Sequence, residues 1–158
     1  MRLLGHPIHP MLVHFPIVFW TVAAAAYVAD AADMGGEGAG AVAMYSNGAG
    51  LIMAMLAMIA GLLELRSIEG RSRTMQVAIW HMMLMATAWF CFVLALVLPI
   101  SAGPHVDHSM ASLAGVASAV VGFLFMGAGG WLGGRLVYEF GTGVKNQPEP
   151  RANPIHRS

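Results

Sequence analysis

The sequence predicts an all-α integral membrane protein, a transmembrane four-helix bundle, and three observations carry that prediction. Hydrophobic residues make up 58% of the 158-residue chain and charged residues only 10%, a balance unsuited to a water-soluble globule of this size. Four apolar stretches, 11–29, 44–63, 75–98 and 109–132, each approach the ~20 residues that a helix needs to cross a bilayer core. All eight Lys and Arg residues fall on one side of those stretches.

The opening MRLLGHPIHP has one Arg among prolines and histidines and no small-residue cleavage site, so the first span is expected to act as its own insertion signal. DAADMGGEGAG joins spans 1 and 2, ELRSIEGRSR joins spans 2 and 3, and PISAGPHVDHS joins spans 3 and 4. None of these is long enough for a second domain, so residues 1–144 form one four-helix unit. The tail 145–158, rich in proline and poor in apolar groups, is expected to be disordered or docked on a partner. No tandem repeat is evident.

Arg2 precedes span 1, Arg66, Arg71 and Arg73 lie between spans 2 and 3, and Arg135, Lys145, Arg151 and Arg157 follow span 4. By the positive-inside rule that side is cytoplasmic, with both termini there and Asp30, Asp33, Glu37, His105, Asp107 and His108 outside. The formal net charge of zero argues against a nucleic-acid partner. Cys91, the single cysteine, reads as a small buried hydrophobe. Gly50, Ala54, Ala57 and Gly61 in span 2, and Gly115, Ser118, Gly122, Gly129 and Gly133 in span 4, are small residues at helical spacing that let helices approach closely in lipid.

The chemistry is concentrated in histidines. GHPIHPMLVHFPI puts His6, His9 and His14 beside Pro7, Pro10 and Pro16 at the mouth of span 1. Because proline biases the preceding residue toward extended backbone, His6 and His9 are expected in an extended lead-in. His14 is expected inside the helix, where Pro16 removes a backbone hydrogen bond. His81 lies about two turns into span 3, at a depth similar to His14. Two imidazoles at one membrane level on different helices suit axial ligation of a haem iron in a four-helix bundle. The plainer reading gives His14 a carbonyl freed by Pro16, and His81 a Thr or Glu64.

The remaining signals are weaker. His105 and His108 with Asp107 offer at most a poor metal site in a solvated loop. The methionines suit cuprous ion chemically, but their spacing mixes several helix faces, as apolar packing does. Trp20, Trp80, Trp89 and Trp131 read as interface anchors or packing groups, with Trp80 also placed to line a planar cofactor. Glu64 and Arg135 lie near the same ends of their spans, where an ion pair or snorkelling to water serves equally. No nucleophile elbow, P-loop, HExxH or CxxC is present.

The opening HPIHPMLVHFPI, together with GGWLGGRLVYEFGTGV near the end, resembles the bacterial membrane-protein family named domain of unknown function 2231, over essentially the whole chain to Val144. The resemblance implies four helices, the motif of His6, His9 and His14, and a histidine in the third helix, matched by His81. Phe140 stands where many members have histidine, so a ligand at that position is not carried over. Members fused to Rieske or cytochrome c modules imply electron transfer by association.

Together these readings lead to a haem b protein of the bacterial inner membrane, passing electrons between quinone and a redox partner. His14 and His81 would be the metal ligands, with His9 or His6 as substitutes. Arg73 or Arg135 would pair with the haem propionates. The rivals are a non-enzymatic accessory subunit packed into a respiratory or photosynthetic complex, and a proton or small-solute channel relayed by His14 and His81.

Overall fold

The computed structural model describes residues 2–3, 6–66, 68, 70, 72–101 and 108–144. The tail from residue 145, His105 and Asp107 lie outside the described residues, as do the side chains of Arg2, His6 and His108. A two-residue antiparallel pairing of β1 (Arg2–Leu3) with β2 (His6–Pro7) leads into a short helix, α1 (Ile8–Leu12). Four long helices follow: α2 (His14–Ala31), α3 (Ala39–Leu65), α4 (Arg73–Ser101) and α5 (His108–Tyr138). Four segments, Ile8–Ala31, Ala39–Leu65, Arg73–Pro99 and Leu113–Tyr138, are long and apolar enough to cross a membrane.

The first three spans outrun their apolar windows at both ends and the fourth at its far end, because small or polar residues there still close helical hydrogen bonds. The first begins at Ile8 rather than residue 11. Pro10 sits in the first turn of α1, where its missing N–H has no intrahelical acceptor to lose, so proline is accommodated without extending the chain. Pro16 leaves the carbonyl four residues earlier without its usual donor, and the hydrogen-bond pattern is interrupted between α1 and α2. Val13 keeps helical angles, φ −63° and ψ −22°, so the axis continues through the interruption. The last span runs to Tyr138, well beyond residue 132. It ends at Gly141 in the left-handed region, φ 64°, with the Thr142 N–H donating to the Leu136 carbonyl.

The interior is built from small residues closing on a few large ones. Trp20, Ala23, Ala43, Ala88, Phe92, Ala95 and Ala119 are fully buried, while Ile52 and Leu124 are each 65% exposed. In water such exposure would be costly; facing lipid it is the expected arrangement. α2 packs chiefly on α3 and α4 chiefly on α5, giving two hairpins that meet through α2 with α5 and α3 with α4.

The two hairpins are copies of one plan, which corrects the reading of a chain without repeats. A step of 72 residues takes the buried set Pro16, Trp20, Ala23 onto Ala88, Phe92, Ala95. The same step takes Ala43, Asn47, Gly50, Ala54, Ala57 onto Gly115, Ala119, Gly122, Met126, Gly129, all buried. Trp20 stacks on Phe92, its own equivalent, with ring centroids 4.6 Å apart and planes within 8°. A residue meets its own equivalent only where an approximate two-fold axis passes, so the hairpins are related by an axis running along the bundle between α2 and α4.

Candidate functional site

A second pair of equivalents meets near the end of the bundle marked by Arg66, Arg73 and Arg135. His9 on α1 and His81 on α4 face one another with ring centroids 6.2 Å apart and planes at 81°. The Nδ1–H of His9 donates to the Ala57 carbonyl on α3 at 2.7 Å, and the Nδ1–H of His81 donates to the Gly129 carbonyl on α5, also at 2.7 Å. The partners are separated by 48 residues in both cases, so one interaction is made twice.

Glycine makes that interaction accessible. A helix carbonyl already accepts from the N–H four residues on, and a side chain at that later position would shield its remaining lone pair. That position is Gly61 for Ala57 and Gly133 for Gly129. A Cβ at Gly61 would stand 3.1 Å from His9 Cε1 and 3.2 Å from Nδ1; one at Gly133 would stand 3.1 and 3.3 Å from the same atoms of His81. Each imidazole therefore lies over a glycine to reach a carbonyl one turn back.

The hydrogen bonds also set the tautomer. A neutral imidazole that donates from Nδ1 carries its lone pair on Nε2, the usual state of a metal-binding histidine whose outer nitrogen is held by a carbonyl. Bonds of about 2 Å from both rings to one ion would allow their centres to stand up to roughly 6 Å apart, in line with the observed separation.

The structure pairs His81 with His9 and not with His14. His14 is exposed on the outer surface of the first span. Because His9 is helical, five residues at 100° each put the two imidazoles roughly 140° apart around the axis, so only one of them faces the interior. His81 takes neither a Thr nor Glu64 but the Gly129 carbonyl. Among the described residues no three His, Cys, Asp or Glu groups gather as a metal cluster.

Arg135 pairs with Glu139 on its own helix, Nη2 to Oε2 at 2.7 Å and Nε to Oε1 at 2.8 Å, and lies over the Trp131 ring at 5.2 Å. The guanidinium holds the Glu139 carboxyl below the ordinary glutamate range, with Arg73 adding to the effect from a distance. Arg73, at the start of α4, is exposed, two turns from His81 toward the same end. Trp80 is 61% exposed and points away from the histidine pair; Trp131 is 66% exposed, Trp89 half-buried and Trp20 fully buried.

The residues missed by sequence reasoning are Ala57, Gly61, Gly129 and Gly133 as the supports of the imidazoles; His9, named there only as a substitute for His14, is the inward-facing histidine of the first span. The available signal was the 72-residue step, which preserves His, Met and Leu at His9/His81, Met11/Met83 and Leu12/Leu84, and glycine at Gly50/Gly122 and Gly61/Gly133.

Fold and site define a class: a membrane four-helix bundle of two repeated hairpins, with one imidazole from each meeting on the shared axis. The family model described as predicted membrane protein (DUF2231) matches residues 5–146, and the chain belongs to that family. Comparisons with curated proteins and with solved structures returned no match.

Proposed function

We propose that the protein is a haem b electron carrier of the bacterial inner membrane, in which His9 and His81 would hold the iron. The observation that carries this reading is the symmetric imidazole pair: two rings from diagonal helices, each with Nδ1 tied to a carbonyl and Nε2 left basic, at the spacing that one ion requires. Small residues surround the pair, so the backbones of α3 and α5 approach the rings without side chains intervening. Bound iron would supply reversible one-electron chemistry with no proton demanded of the ligands.

Arg73 suits a propionate partner, being exposed at the same end of the bundle; Arg135 would have to leave Glu139 to serve. That end faces the cytoplasm under the positive-inside rule, and a membrane quinone and a redox partner are the expected electron exchangers. The test is an absorbance spectrum of protein expressed with haem supplied and purified in mild detergent. A Soret band that shifts on reduction, lost in both His9→Ala and His81→Ala and kept in His14→Ala, is expected; a colourless wild-type protein refutes the reading.

A second reading, an accessory subunit of a larger membrane complex, draws on one surface feature. Gly127 and Gly130 of α5 are exposed with open space over them, where the equivalent positions of α3 carry Met55 and Met58. Such a face admits close approach of another helix. Recovery of a stoichiometric complex with no haem of its own would favour this reading; a monodisperse haem-containing monomer would count against it.

A further inference from the structure

The repeat provides an internal control for what the fold itself requires. Where both hairpins carry the same kind of residue, packing or the imidazole site explains it. One connected polar group around a fully buried asparagine breaks the correspondence. Trp20, Tyr27 and Asn47 of the first hairpin answer to Phe92, Pro99 and Ala119 of the second, three polar-bearing side chains against three apolar ones. The second hairpin therefore packs at these three positions without polar groups, yet the first has them.

Their hydrogen bonds are incomplete. Asn47 is fully buried, and its Nδ2 donates to the Phe92 carbonyl at 2.9 Å and to the Tyr27 hydroxyl at 3.2 Å. Its Oδ1, and the Nε1–H of the fully buried Trp20, have no hydrogen-bond partner among the described residues. One is an acceptor and the other a donor. A Cβ at Gly50 would lie 2.7 Å from Trp20 Nε1, and Gly50 is one turn from Asn47. Trp20 falls near the middle of the Ile8–Ala31 span, where lipid offers an orphaned polar group nothing.

We propose that Trp20 and Asn47 form a small polar site at mid-membrane that binds one water molecule, whose oxygen accepts the indole hydrogen while one of its protons goes to the amide oxygen. A single water satisfies both groups, as buried waters do in protein interiors. With it in place, Asn47 ties α2, α3 and α4 together on one side of the axis only. That gives two hairpins of matching shape a reason to pair with each other rather than each with a second copy of itself.

The test is solution NMR of indole-¹⁵N-labelled full-length protein in lipid nanodiscs, with the Trp20 signal assigned through Trp20→Phe, which installs the residue type of the other repeat. The expected result is an indole proton at a hydrogen-bonded shift with a cross-peak to water, and loss of that cross-peak in Asn47→Ala and Asn47→Leu. A wild-type indole proton at the shift of an unbonded N–H, with no contact to water, overturns the proposal without reference to any variant. A water cross-peak that persists in both Asn47 variants, with the other indole signals in place, overturns it equally.

Discussion

Replacing Gly133 by alanine is the sharpest test of how the imidazoles are supported. The added Cβ would sit 3.1 Å from His81 Cε1 and 3.3 Å from Nδ1, a few tenths of an ångström inside ordinary contact. The ring cannot turn aside while keeping its 2.7 Å hydrogen bond to the Gly129 carbonyl one turn below. Alanine improves helix propensity by about 1 kcal/mol over glycine, and overpacking a closed contact costs about 1–3 kcal/mol, so net stability should fall by no more than about 2 kcal/mol. The larger effect falls on ligand binding. Loosening the group that orients a metal-bound histidine typically lowers affinity about 10–100-fold. Haem titration followed by absorbance should show that loss for Gly133→Ala and for its equivalent Gly61→Ala. Gly134→Ala is the control, because a Cβ there meets nothing. Wild-type haem affinity in Gly133→Ala, or an equal loss in Gly134→Ala, would refute the reasoning.

Gly50→Ala should destabilise the bundle by about 1–3 kcal/mol, read as a lower thermal midpoint in detergent, because its Cβ would fall 2.5 Å from Trp20 Cδ1 in a closed interior. Haem bound on the axis would meet nearly equivalent surroundings from the two hairpins, so paramagnetic proton NMR of the oxidised protein should resolve two sets of haem methyl signals. A single set would show that the equivalence ends at the ligands. Glu139 has a depressed pKa in the folded chain, so its pairing with Arg135 contributes above the unfolded glutamate value and is lost as pH falls through the lower folded one. Acid titration of Trp131 fluorescence should follow that loss below the ordinary glutamate range, and Glu139→Gln should abolish the step; an unchanged titration in the variant would exclude Glu139 as its source.

Hydropathy and the placement of arginines made the four spans legible before any coordinates, because lipid demands uninterrupted apolar helices whatever their neighbours. Histidine was legible as the chemical residue for a related reason: an ionisable ring within a span needs a partner. Which histidine faces inward was not. That depends on helix phase, and the phase turned on whether His9 was extended by Pro10 or helical despite it. A proline in the first turn costs no hydrogen bond, so tertiary contacts decided, and the Ala57 carbonyl with Gly61 beneath the ring favours the helical form.

The repeat was hidden for a similar reason. A lipid-facing side chain can be any apolar group, so equivalent positions drifted, as at Val18/Phe90, Ile52/Leu124 and Leu56/Ala128, while the pattern of burial was kept. Composition and order along the chain determined that this protein is a membrane bundle of four helices with imidazoles near one end. Only the packed structure decided that His9 meets His81, since that contact joins positions far apart in sequence and is fixed by rotation about two helix axes, a quantity that hydropathy does not encode.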